Sequence, residues 1–300
     1  MQHDFSSLKI VHQNTAISNE AVEEVLIDEN PSACKLIIEI GKNHIGYLVA
    51  NSDTTEIFAL AFYPLSSSES LSSFYQQIDN HLGSFSIARY KTLWHNPTIV
   101  INDAKFCIVP KALFNEQHPE HYFNQIFSNE NLSNLFFYKS IDHDAVLLHA
   151  IDNRLNAIIS RHAPQAQWQH VQESLINFTT RHYGKSYPKF IALDIKGNLL
   201  QVIGYGNGSL LFANSFTVQG AEDIAYYTLH AYEHLQYEAH QVPLIVSGNI
   251  TEGDATFKLL HKYIKDIYTL KPGIKASATI TGIMNDCAFT TLIATLHCEL

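Results

Sequence analysis

The sequence predicts an α/β protein built from two lobes, and three observations predict it. A run of three β-rich segments opens each half of the chain. Apolar residues at helical spacing follow each run. The composition, 46% hydrophobic and 16% charged over 300 residues, is that of a packed globule and argues against disorder. A chain of this length buries a full core without disulfide or metal staples.

Residues 1–33 read as a mixed, polar extension with one candidate strand at 8–12. Order is predicted to begin at residues 35–42, 44–51 and 56–63, three β-rich runs separated by Gly41-Lys42-Asn43 and Asn51-Ser52-Asp53-Thr54-Thr55. Short polar turns between such runs specify antiparallel strands. Ser67 or Ser68 is expected to cap a helix that ends near Leu82, with Leu71, Phe74, Tyr75, Ile78 and Leu82 at helical spacing. Strands are predicted at 98–101 and 106–109, Pro110 ending the second. A helix at 120–127, strands at 135–139 and 145–151, and helices at 153–160 and around 171–178 complete the first half.

Gly184-Lys185-Ser186-Tyr187-Pro188 is a turn-rich break, which places the lobe boundary there and divides the chain into 1–185 and 186–300. The opening pattern then returns at 190–195, 199–204 and 209–216, separated by Lys196-Gly197-Asn198 and Gly206-Asn207-Gly208. A helix at 221–236, a strand at 244–247 and a helix at 254–263 follow. Residues 285–300 are apolar and compatible with helix, strand or both. The two openings superpose: Leu36-Ile37-Ile38-Glu39-Ile40-Gly41-Lys42-Asn43 matches Ile191-Ala192-Leu193-Asp194-Ile195-Lys196-Gly197-Asn198. Each is an apolar strand, an acid, isoleucine, two turn residues and asparagine. A period of half the chain means two related lobes rather than a solenoid.

A strand ending in an acid and turned tightly into a hairpin, once per lobe, resembles the actin, sugar-kinase and heat-shock ATPase superfamily. The resemblance implies a duplicated actin-like (ribonuclease H-like) fold whose two hairpins face one cleft and embrace the phosphates of ATP. It also implies a third motif, a strand running into a Gly-Gly turn and a helix that packs on adenosine. Leu244-Ile245-Val246-Ser247-Gly248-Asn249 and the helix from Asp254 stand in the matching place. A closer resemblance is to an uncharacterised Bacteroidetes family, a domain of unknown function with an actin-like ATPase fold. It rests on Val109-Pro110 with Leu113-Phe114, on Leu211-Phe212-Ala213-Asn214-Ser215-Phe216, on Asp223 with Tyr226-Tyr227 and Glu233, and on Ser247-Gly248. No reaction comes with that family.

The superfamily resemblance assigns candidate Mg-ATP contacts to Glu39, Gly41 and Lys42, to Asp194, Gly197 and Asn198, and to Ser247, Gly248 and Asn249. The chemistry needs an acid to hold Mg²⁺ through water. It also needs glycines, so that backbone N–H groups approach phosphate oxygens with no Cβ in the way. All three motifs depart from that pattern. Glu39 is one methylene longer than the usual aspartate, and Lys42 stands where a small hydroxyl or glycine is usual, although its charge can reach a phosphate. Lys196 replaces the first glycine of the second hairpin, where its Cβ would crowd a phosphate. Asn249 replaces the second glycine of the third motif. Together the departures point to a weak or lost site. A plainer role for Glu39 and Asp194 is that of strand-end acids accepting turn N–H bonds. The expectation is a non-catalytic actin-like protein acting through an unidentified protein partner. The alternative is an ATP-dependent switch or ATPase.

The net charge of −10 disfavours nucleic acid and anionic membrane surfaces as partners. Cys34, Cys107, Cys287 and Cys298 form no Cys-x-x-Cys pair and read as small buried residues in a reducing compartment. No apolar signal core opens the chain and no run reaches a membrane span, so a cytoplasmic location is expected. The 17 histidines are scattered. His230-Ala231-Tyr232-Glu233-His234 matches the H-x-x-E-H form of an inverted zinc peptidase. A catalytic zinc needs a third ligand, which no partner motif supplies, and no metal is expected. His118-Pro119-Glu120-His121 reads as a surface helix start, and Gly204-Tyr205-Gly206-Asn207-Gly208 as a hairpin turn between strands.

Overall fold

The structure, a computed structural model, describes residues 19–29, 31–53, 55–66, 70–127, 134–142, 144–270, 273, 275–277, 280–281 and 289–298. The candidate strand at 8–12 lies outside them. The chain divides into two compact units, each drawn from separated stretches: 1–100, 157–168 and 273–285 in the first, and the remainder in the second.

The first unit is organised on a seven-stranded sheet. Strands β2 (Cys34–Gly41), β3 (His44–Asn51) and β4 (Glu56–Pro64) form the predicted antiparallel meander. They pair outward with β1 (Asn19–Val22) on the β4 side and with β5 (Thr98–Asn102) and then β9 (Gln167–His170) on the β2 side. A short β15 (Lys275–Ala276) adds in parallel to β4. Nearly every residue of β2 and β3 is buried, as their β-branched and apolar runs demand. Helix α1 (Glu24–Glu29) follows β1, and α2 (Leu71–Ser84) follows β4. The cap of α2 is Ser70, whose side chain accepts from Ser73 N–H at 3.2 Å, rather than Ser67 or Ser68.

The second unit holds a five-stranded sheet in the order β12-β11-β10-β13-β14. Here β10 (Lys189–Lys196), β11 (Leu199–Gly206) and β12 (Ser209–Thr217) repeat the antiparallel meander, while β13 (Leu244–Gly248) and β14 (Ile267–Thr269) add in parallel to β10. Asn207, at φ 55°, makes the left-handed turn that an Asn-Gly hairpin requires. On one face, α6 (Ala221–His234) and α7 (Ala255–Leu260) bury a core built on Leu193, Ile195, Val202, Leu244 and Val246. Helix α5 (Val171–Tyr183) packs on β11 and against the C-terminal helix α8 (Thr290–Cys298). A separate three-stranded sheet, β6 (Phe106–Pro110), β8 (Ala145–Asp152) and β7 (Asn134–Asp142), carries α3 (Pro119–Ile126) through Cys107, Val109, Phe123 and Leu148. Helix α4 (Asn153–His162) follows β8.

Candidate functional site

The first hairpin turns at Lys42 and Asn43. Its register pairs Glu39 with Gly46 and Ile40 with Ile45, so residue 44 falls opposite Gly41. Positions 39, 41, 44 and 46 therefore share one face of the sheet. Two of the four are glycines, and the ring of His44 fills the room beside Gly41. A Cβ on Gly41 would stand 2.2 Å from that ring. The imidazole stacks on Phe62 at 5.2 Å, and its Nε2 donates to Glu39 Oε1 at 2.7 Å. Both partners are buried, Glu39 at 1% exposure. Lys42 is exposed at the tip. Sequence reasoning passed over His44 as the first residue of a strand. The hairpin register and the two missing side chains were the signal that would have found it.

The second hairpin is closed by different residues. Asp194 is buried beside Ser247 on the neighbouring parallel strand, and Ser247 Oγ–H lies 2.7 Å from Asp194 Oδ1 and 3.0 Å from Leu193 O. Gly248 has φ +82°, and a Cβ there would meet Ile195 O at 2.0 Å. That glycine is thus required by strand-to-strand backbone packing, whatever else it does. Asn249 closes the turn: its N–H donates to Ile195 O at 2.5 Å, and its Oδ1 accepts from Gly197 N–H at 2.9 Å. Val218 N–H donates to Asn198 O at 2.8 Å, tying the hairpin to the end of β12. Lys196 turns inward, and its Nζ donates to Thr291 Oγ1 on α8. Ser247, Gly248 and Asn249 thus lie with Asp194 and Gly197 in one hydrogen-bonded cluster of the second unit, while Glu39, Gly41 and Lys42 belong to the first.

The remaining candidates have plain surroundings. His230 Nδ1 is 3.8 Å from Glu233 Oε2 on the open face of α6, and its ring stacks on Tyr226 at 6.1 Å. His234 packs on Phe212 at 5.5 Å. Among the described residues, the group of three with ligand atoms within 4.8 Å of one another is His118, Glu120 and His121. It is a surface cluster at the start of α3 in which Glu120 Oε1 lies 3.2 Å from His118 Nδ1 and 3.7 Å from His121 Nε2.

Sequence reasoning also missed a buried polar belt in the second unit. Gln172 Nε2 donates to Gln201 Oε1 at 2.7 Å, Gln169 Nε2 to Ser174 Oγ at 2.9 Å, and Ser174 Oγ lies 2.7 Å from Thr295 Oγ1. Buried Glu173 meets Lys139 Nζ at 2.5 Å, yet burial still raises its carboxyl above the usual range. Nearby, His149 stacks on Phe137 at 5.7 Å and lies 5.6 Å from the ring of His170. Neither ring nitrogen of His149 has a hydrogen-bond partner among the described residues. Burial lowers its pKa to about 4. No residue of this belt carries a motif, because its polar members come from six elements, β7, β8, β9, β11, α5 and α8, brought together by packing. Among the described residues, no helix is long and apolar enough to cross a membrane.

The chain belongs to a family described as "Protein of unknown function (DUF3822)", whose model matches residues 23–267. A protein of unknown function with an actin-like ATPase fold from Bacteroides thetaiotaomicron is similar in structure, with a TM-score of 0.75 and 18% identity. The match covers 90% of this chain and 98% of that one. The PilM–PilN type IV pilus biogenesis complex is similar with a TM-score of 0.60 and 11% identity, covering 88% of this chain and 97% of that one. These likenesses show that the chain has the actin-like fold. No curated protein matches the sequence significantly.

Proposed function

We propose that the chain is a non-catalytic actin-like protein with degenerate nucleotide hairpins, and that it acts by binding another protein. The observation that carries this reading is the His44 ring, which lies over Gly41 and takes the carboxylate of Glu39. Phosphate recognition at a glycine turn needs an open backbone, and metal binding needs an acid that water can reach. Here an imidazole occupies the first and binds the second. Asn249 supports the same reading at the other hairpin, since its side chain already accepts the Gly197 N–H. The residues present therefore do not fit Mg-ATP as they stand, and no catalytic step is assigned to it. On this reading the two hairpins open duplicated halves of the sequence, 1–185 and 186–300, while the compact units themselves draw on interleaved stretches of chain. A similar structure that is itself a protein complex, PilM–PilN, supports action through a partner by analogy of fold alone. The net charge of −10 and a sequence without any Cys-x-x-Cys pair support a cytoplasmic, protein-directed role.

The competing reading is an ATP-dependent switch, favoured by exposed Lys42 and by the retained Asp194. Calorimetry with Mg-ATP on the full chain separates the two. The proposal expects weak or no binding, unchanged by Asp194→Ala. Micromolar binding that Asp194→Ala abolishes would overturn it and establish the switch.

A further inference from the structure

We infer that the outer edge of β12, together with the adjoining face of α6, is the docking surface for a basic, extended segment of a partner protein. The inference rests on the partner-binding reading above and names the surface it would use.

Three independent features meet there. First, β12 ends the five-stranded sheet, with no strand paired to its outer side among the described residues. The contrast with its neighbour is sharp. Seven of the eight residues of β11 are buried, whereas none of the nine residues of β12 is. Such an edge offers main-chain donors and acceptors to an added strand, apart from Ser215 N–H, which donates to Asn214 Oδ1 at 2.8 Å. Second, the edge is aromatic. Phe216 stacks on Tyr227 at 4.1 Å, Tyr227 meets Tyr226 at 5.2 Å, and Tyr226 is 63% exposed. Leu211, at the β-bulge of the same strand, is 45% exposed. Third, the region carries charge of one sign. Residues 197–257, which include the β11–β12 hairpin and α6, contain six acids and no lysine or arginine. On the exposed face of α6, Glu222 and Glu233 flank Tyr226.

Together these features select the occupant. Strand addition needs an extended segment. Exposed tyrosines beside carboxylates favour lysine or arginine, which can pair with the acids and lie over the rings. A second copy of this chain is disfavoured, because edge-to-edge pairing of two β12 strands would bring two copies of the same acidic surface together.

The test uses the full chain and a fluorescein-labelled nine-residue peptide of alternating lysine and valine, matched in length to β12. Its control has glutamate for lysine. Anisotropy should show salt-sensitive binding of the basic peptide alone. The Glu222→Lys/Glu233→Lys double variant should weaken it about tenfold, and Tyr226→Ala severalfold. These three positions are exposed, and unchanged thermal melts will verify that the variants fold. Equal binding of the acidic peptide overturns the inference, as does absence of binding by the basic one. A peptide-free dimer strengthened by the double variant does so too. Basic-peptide binding indifferent to all three substitutions overturns this surface but leaves the partner-binding reading standing. Asp194-dependent Mg-ATP binding would overturn that reading and not the peptide result.

Discussion

Replacing His44 by alanine tests whether the imidazole holds the first hairpin together. The substitution removes a hydrogen bond of 2.7 Å to a carboxylate that is 1% exposed. A hydrogen bond to a charged group contributes about 1.5–3 kcal/mol, and its loss leaves the buried acid short of a donor. The stack on Phe62 adds about 0.5–1.5 kcal/mol, and the ring's departure leaves a void over Gly41. A total near 3–4 kcal/mol follows, or a fall in Tm of roughly 6–16 °C for a domain of this size. Glu39→Gln keeps the shape and removes the charge. In a double-mutant cycle followed by urea unfolding, the two positions should couple by about 1.5–3 kcal/mol. Coupling below about 0.5 kcal/mol, or a His44→Ala melt within roughly 1 °C of the parent, would refute the argument. It would mean that the pair is incidental to the hairpin.

Three further outcomes follow from the geometry. His149 is held neutral by burial, which lowers its pKa to about 4 from the ordinary imidazole value near 6.5. The unfolded chain therefore binds more protons between those values, so stability is full above pH 6.5 and falls by about 3 kcal/mol as pH drops toward 4. His149→Phe should flatten that acid limb while costing little at neutral pH, and equal limbs in urea titrations would contradict the assignment. Gly248→Ala should destabilise by about 3 kcal/mol or more, because φ +82° and a Cβ 2.0 Å from Ile195 O must both be relieved; a melt matching the parent would show that the strand pair can part there. Elemental analysis should find no stoichiometric zinc. A stoichiometric metal lost on His230→Ala or His234→Ala would revive the H-x-x-E-H motif.

Much of the fold was legible because its central strands are long and their turns are polar. The six meander strands stand within two residues of where the runs place them. Elements that depend on a distant partner were not legible. β1, Asn-Glu-Ala-Val, has no hydrophobic period and is a strand because it pairs with β4. β14 has three residues, and its extended state comes from parallel pairing with β13. In α8, Thr-Thr-Leu-Ile-Ala-Thr-Leu is a β-branched run by propensity. Packing against α5 makes it helical, with Ser174 Oγ 2.7 Å from Thr295 Oγ1 and Arg181 Nη1 3.0 Å from His297 O. At the candidate site the acids could be read from the motif, but their partners could not. Lys196 was expected to crowd a phosphate through its Cβ. Beyond that Cβ its Nζ meets Thr291, 95 positions along the chain, a contact that no local pattern encodes.

The partners chosen by the two acids bear on what the hairpins are for. An acid that organises a metal through water must exchange hydrogen bonds with solvent, so it must be reachable. Glu39 and Asp194 are each 1% exposed, and each takes a donor from its own surroundings, His44 in one case and Ser247 in the other. Burying a carboxylate costs several kcal/mol unless such donors are supplied. The two donors differ in kind, an imidazole across the hairpin and a hydroxyl on the next strand, although the hairpin motif repeats. Each half thus meets the same electrostatic requirement with whatever side chain its register brings near. On the proposed reading the acids are retained because the hairpins need a buried acceptor. Glu39→Gln and Asp194→Asn should then lower stability while leaving partner binding at the exposed edge intact. If either exchange abolishes partner binding in a chain that still melts normally, the acids belong to the interaction and the proposed division between scaffold and surface fails.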